Sequence, residues 1–134
     1  MQTEDCIKKA SLSIQLHKNS KWVDDSYILL GRARFYERDF VNAIETFKYV
    51  NTKSEDDDAR HNALAELIRT FTDYGEYANA EAVVDYLKKE TPNKNNQKLI
   101  FLNQAYLYQQ LDNYDKMVEN LVKVAPELYQ SEGK

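Results

Sequence analysis

Two histidines, a single cysteine and a run of three aspartates are the residues here whose types invite a catalytic or metal-binding reading. Activated nucleophiles need a base within hydrogen-bond reach, oriented by a third group. His17 and His61 are far apart in sequence and fall on different predicted elements, so each is read as a surface or packing residue. Cys6 stands alone; it allows no intrachain disulfide and no thiolate metal cluster. Asp56, Asp57 and Asp58 offer carboxylate oxygens, but a calcium loop alternates its ligands and needs a glycine for its sharp turn. Acids at the start of a helix, facing its positive end, explain the run without a metal. No glycine-rich phosphate loop, nucleophile elbow or Cys/His pair is present. Several of the ten tyrosines recur in fixed columns and are assigned to packing rather than to stacking on a sugar or nucleotide. The expectation is a chain that is not an enzyme and takes no cofactor or metal.

The elements that would position any site are helices. The chain has 134 residues, 43% hydrophobic and 30% charged, with only three glycines and two prolines. That is too few turn residues for a strand-rich fold. The net charge of -4 opposes nucleic-acid binding, which rests on basic neutralisation of phosphates. No apolar run approaches a membrane span, and the N-terminus lacks the apolar core of a signal peptide. MQTEDCIKKA reads instead as a helix already under way.

A repeat organises the rest. Phe40, Tyr77 and Tyr114 are spaced by 37 residues, and the same step relates Ala43, Ala80 and Met117. It also relates Phe47, Val84 and Leu121, then Val50, Leu87 and Val124, and earlier Tyr27, Leu64 and Phe101, and Gly31, Ile68 and Ala105. Within each unit the apolar positions recur at helical spacing. Short polar turns separate two helices: Glu37-Arg38-Asp39, Tyr74-Gly75-Glu76 and Leu111-Asp112-Asn113. The units are predicted over 22–51, 56–90 and 95–125, joined by the polar links NTKSEDDD and ETPNKNNQ. Ser54 is predicted to cap the second unit, with acids following it, and Asn93 or Asn95 to cap the third. Glu90 is read as an exposed position. A further helix is predicted over 4–18, with Cys6, Ala10, Ser13 and Leu16 on one face. One step back from Ala43 lands on Cys6, so this helix reads as the second half of an earlier unit. An array that begins mid-unit is expected to belong to a longer solenoid.

These columns resemble the tetratricopeptide (TPR) repeat, with its small residue at position eight, aromatic near seventeen, small residue at twenty and proline at thirty-two. Gly31, Phe40 and Ala43 match in the first unit, and Tyr77, Ala80 and Pro92 in the second. Ala105, Tyr108 and Tyr114 match in the third, where Met117 replaces the small residue. Each unit is longer than the usual ~34 residues. More narrowly, Ser20, Trp22, Asp24 and Asp25 at the head of the first unit resemble TPR lipoproteins of Bacteroidota gliding motility and type IX secretion.

The resemblance implies an all-α fold, an α-solenoid of about three helix-turn-helix units plus the N-terminal helix. It implies a non-enzymatic protein–protein interaction scaffold whose first helices line a concave groove, or else a structural spacer within a larger array. The implied groove residues include Arg32, Phe35, Tyr36, Arg69, Asp73, Asn103, Tyr106 and Gln109. Arg32, Arg69 and Tyr106 share one column, and two guanidiniums on one strip point to a protein or peptide partner bearing acidic groups. The pattern of the chaperone-tail clamp is not met: Ile28, Arg32, Glu66, Leu99 and Asn103 stand at its lysine and asparagine positions, and only Asn103 fits. The narrower resemblance implies a lipoprotein-anchored parent in the periplasm or outer membrane; without it, the cytoplasm is expected.

Overall fold

The structure, a computed structural model, describes residues 21–125. The helix predicted over 4–18, with Cys6 and His17, lies outside the described residues. Among the described residues six helices follow one another: α1 Lys21–Tyr36, α2 Phe40–Lys53, α3 Asp57–Asp73, α4 Tyr77–Leu87, α5 Lys94–Gln110 and α6 Tyr114–Val124. Among the described residues there is no strand, and the fold is all-α.

Three turns are built alike. Arg38, Gly75 and Asp112, one repeat step apart, all have positive φ, at 65°, 83° and 57°. The next residue in each turn sends its N–H back to a carbonyl five residues earlier: Asp39 to Arg34 at 2.9 Å, Glu76 to Phe71 at 2.9 Å and Asn113 to Tyr108 at 2.8 Å. This is the Schellman closure, which satisfies the orphan carbonyls at a helix end. Only the middle turn has the glycine that adopts such φ without a side-chain penalty. Asp39 and Asn113 then cap the following helices by accepting from the N–H groups of Asn42 and Lys116. Glu76, with its longer side chain, makes no such cap.

The links between helix pairs differ from expectation in extent and in capping. Helix α2 continues through Asn51, Thr52 and Lys53, leaving only Ser54 to Asp56 as connection. Ser54 therefore ends α2 instead of capping α3. Its hydroxyl donates to Asp24 Oδ2 at 2.7 Å and accepts from the Asp56 N–H at 3.1 Å. Asp56 is the cap, accepting from the Asp58 N–H at 3.1 Å. Asn93 caps α5, accepting from the Asn96 N–H at 2.8 Å.

The repeated columns supply the core. Ala43, Phe47 and Val50 on α2 and Ala80, Val84 and Leu87 on α4 are buried, as are Leu64 and Ile68 on α3. Gly31 lets α1 and α2 approach: a Cβ built there would lie 2.6 Å from Phe47 Cε1. The corresponding residues of the second pair are Ile68 and Val84, and of the third Ala105 and Leu121. A larger residue in one column accompanies a smaller one in the other, which keeps core volume within what close packing tolerates.

Successive helix pairs do not join identically. Helix α3 packs chiefly along α2, with a smaller contact to α1, whereas α5 packs chiefly along α3 and barely touches α4. Helix α4 has 11 residues against 14 in α2, and a longer link carrying Pro92 precedes α5. Two buried asparagines fasten α5 to α3. Asn96 donates to the Asp58 carbonyl at 2.9 Å and Asn103 to the Ala65 carbonyl at 2.7 Å. Each satisfies part of a buried amide that would otherwise cost free energy.

Candidate partner-binding face

The contacts of α1 with α3 and of α3 with α5 bring most of the sequence-predicted groove residues together. Arg32 on α1 reaches across to α3, where its Nη2 donates to Asn62 Oδ1 at 3.3 Å and to Glu66 Oε1 at 3.4 Å. Glu66 is largely withdrawn from water. Burial pushes its carboxyl above the ordinary range, opposed by the positive charge of Arg32.

One turn along α3, the Arg69 guanidinium lies between two rings. Its carbon sits 3.8 Å from the Tyr106 ring centroid on α5 and 5.9 Å from that of Phe35 on α1, within cation–π range of both. Arg69 Nε approaches Asp73 Oδ2 at 3.5 Å. That distance gives an ion pair, but Nε is buried without a hydrogen-bond acceptor, so the Coulombic contact is the one that operates. The Tyr106 hydroxyl donates to the other oxygen, Asp73 Oδ1. This hydrogen bond, with burial second, holds the Tyr106 phenol above its ordinary value, because ionisation would forfeit the donated proton.

The aromatic side of the strip extends beyond the predicted residues. Phe35 meets Tyr36 edge-on at 5.6 Å and Phe40 at 5.8 Å, and Phe40 lies 5.7 Å from Tyr74. A line of stacked groups thus runs from Tyr74 through Phe40, Phe35 and Arg69 to Tyr106, spanning four helix ends or faces. Tyr36, which branches from this line against Phe35, is 76% exposed. Phe40 and Tyr74 were not among the groove candidates. Phe40 carried the signal of the aromatic column that follows each turn, whereas Tyr74 lies in the second turn itself, outside that column.

The face differs from the expected groove in two respects. First, the guanidiniums of Arg32 and Arg69 are already opposed by Glu66 and Asp73. Both arginines remain about two-fifths exposed, at 40% and 41%, but the four charges sum to zero. Second, Asn103 is buried, its amide donating to the Ala65 carbonyl of α3; on the neighbouring helices Ile28, Ala65 and Thr72 are buried too. Packing of α5 along α3 turns Asn103 inward. Gln109 remains exposed, as do Leu29 and Leu102.

Of the residues first weighed for chemistry, His61 and Asp57 have structural partners. His61 is buried, with Nε2 3.3 Å from Glu90 Oε1. Glu90 is half-buried rather than exposed, and Arg60 lies 3.9 Å from the same oxygen. Arg60 also pairs with Asp57, which lowers the Asp57 carboxyl below its usual range. This cluster ties the first turn of α3 to the segment after α4. Among the described residues, no group of three or more His, Cys, Asp or Glu side chains is placed to hold a metal ion. No described helix is long and apolar enough to cross a membrane. The chain matches no protein-family model, no curated protein and no solved structure against which it was compared.

Proposed function

We propose that this chain is a non-enzymatic protein–protein interaction scaffold, an α-solenoid of TPR-like units that receives a peptide segment or neighbouring subunit across α1, α3 and α5. The observation that carries this reading is the line from Tyr36 and Phe35 through Arg69 to Tyr106. Aromatic and arginine side chains dominate the energetics of protein interfaces, and here they are held in place by stacking and by Asp73 before any partner arrives. Such preorganisation lowers the ordering cost of association. Extended faces built from successive units suit this role.

The partner is a protein or peptide; a nucleic acid is disfavoured by the net charge of -4. Acidic groups on the partner would meet the open edges of Arg32 and Arg69, within an array whose own carboxylates already offset them. The internal neutrality of the strip is the observation that favours the alternative, a spacer that only sets distance within a larger array. A place in a bacterial envelope complex for secretion or gliding motility rests on Ser20, Trp22, Asp24 and Asp25 alone. Of these, Asp24 has a packing role, since it accepts from Ser54.

The test is capture of the native partner by the full chain carrying Tyr36→Ala and Gln109→Ala. Both positions are exposed, so folding should shift by less than ~0.5 kcal/mol each. Loss of capture with an unchanged melting curve supports the scaffold. Undiminished capture moves binding to another face.

A further inference from the structure

Glu66 stands in a column that otherwise holds the uncharged Leu29 and Asn103, one repeat step before and after it. Its side chain is 18% exposed, while that of its partner Arg32 is 40% exposed. The hydrogen bond its carboxylate accepts comes from Arg32 Nη2, at a long 3.4 Å. Asp73, the other anion of the strip, is held by two groups, the Tyr106 hydroxyl and Arg69 at 3.5 Å. Around Glu66, Arg69 follows three residues later on α3, with Asp73 and Tyr106 of α5 beyond it. Asn62 precedes it by four and also accepts from Arg32, at 3.3 Å. Asn103 of α5 gives its amide to the Ala65 carbonyl. Helix α2 brings Lys48 to within 5.9 Å of the Phe71 ring, and the segment after α4 brings Glu90 to His61. Both of those α3 positions are five residues from Glu66.

We propose that a proton on Glu66 switches this face from neutral to cationic: the ionised carboxylate occupies Arg32, and the protonated one releases Arg32 to a carboxylate of the partner. The switch rests on the partner-binding reading of the same face. Once Glu66 is neutral, Arg32 keeps only the uncharged Asn62, its open edge faces water, and Arg32, Arg69 and Asp73 leave one positive charge on the strip. Burial raises the Glu66 carboxyl above its ordinary range, and the charges of Arg32 and Arg69 offset this only in part. The folded chain therefore binds this proton more tightly than the unfolded chain. The stability Glu66 contributes is complete below the unfolded value and lost as pH rises through the raised folded value. Acid thus frees Arg32 without loosening the fold through this residue.

The experiment has two arms. NMR of the isotope-labelled full chain follows the Glu66 carboxyl carbon and the Arg32 Nε–H from neutral pH down through the Glu66 titration. The proposal expects Glu66 to titrate above the ordinary glutamate range and the Arg32 signal to move with the same midpoint, on a chain that stays folded. The second arm measures affinity for an acetylated oligo-aspartate peptide at neutral pH and low salt. Glu66→Gln, which fixes the charge of the protonated state, should bind it about fivefold tighter than the unsubstituted chain, the scale of one unit charge met at ~4 Å in water. Adding Arg32→Met should remove that gain. An Arg32 signal that ignores the Glu66 titration would overturn the proposal. So would equal affinity of Glu66→Gln and the unsubstituted chain; if Tyr36→Ala with Gln109→Ala still abolished partner capture, that result would reject the switch and keep the scaffold.

Discussion

Replacing Gly31 with alanine adds one methyl group to α1 where it faces the Phe47 ring of α2. The new carbon would lie 2.6, 2.8 and 3.0 Å from three ring atoms of Phe47, where ordinary contacts are 3.4–4 Å. One side must therefore move by roughly 0.8 Å, the gap between the shortest approach and the start of that range. Phe47 is fully buried, with Val50 and Ala43 beside it on α2 equally enclosed, so the ring has no free space to yield into. Two effects oppose each other. Glycine to alanine in a helix interior favours the helix by ~1 kcal/mol, while overpacking a filled core costs ~1–3 kcal/mol. The account predicts that overpacking wins and Gly31→Ala destabilises by about 1 kcal/mol, the reverse of the propensity effect. Phe47→Leu alone should also destabilise, by leaving a cavity. The double variant, which recreates the Ala105/Leu121 pairing of the third helix pair, should lose less than the sum, with a coupling of ~1 kcal/mol. Urea unfolding followed by circular dichroism reads all three. Stabilisation by Gly31→Ala, or strict additivity with Phe47→Leu, would refute the close approach and the repeat register derived from it.

Ala80→Leu should cost ~1–3 kcal/mol, because Ala80 is fully buried in the small column. Its control is exposed Glu81→Ala, expected within ~0.5 kcal/mol; Glu90 is unsuitable because it contacts His61. Asn103→Ala should cost ~1–2 kcal/mol through the lost bond to the Ala65 carbonyl, and thermal melting would show whether the α3–α5 contact depends on it. Tyr106→Phe should cost ~1 kcal/mol near neutral pH. The Tyr106 phenol titrates above its ordinary value of 10.0 in the folded chain, so the unfolded chain ionises first. The hydroxyl's contribution is therefore complete below pH 10 and lost as pH rises through the raised folded value. Unfolding curves of the two proteins should converge in that alkaline window; a constant gap would discard the bond to Asp73.

Much of the fold was legible because each local signal agreed with the repeat. The turns at 37–39, 74–76 and 111–113 fall where helices break, and the columns headed by Ala43 and Phe47 form the core of the first two pairs. The links were less legible. Asn51, Thr52 and Lys53 are polar in sequence yet helical, because exposed helix surface and loop share a composition. Ser54 and Asp56 are both good capping residues, and only the Ser54–Asp24 contact decides between them. The candidate face was legible as columns but not as contacts. Arg32 and Arg69 stood out by spacing; Asp73 lies one helical turn after Arg69 on α3 itself, whereas the pairing of Arg32 with Glu66 depends on how α1 packs against α3. Asn103 turned inward for the same reason: a repeat period says which residues correspond, not whether successive units join at one angle.

The central claim is that a partner lies across α1, α3 and α5. Photo-crosslinking side chains placed singly at Tyr36, Gln109 and Glu81 of the full-length protein, in the cells it comes from, test it directly. Tyr36 touches Phe35 of that strip, Gln109 is an exposed groove candidate near the end of α5, and Glu81 is exposed on α4. The account predicts one partner protein crosslinked from Tyr36 and Gln109 and absent from Glu81. Crosslinks from Glu81 alone, or from none of the three, would contradict it and leave the array a spacer or a binder through another surface.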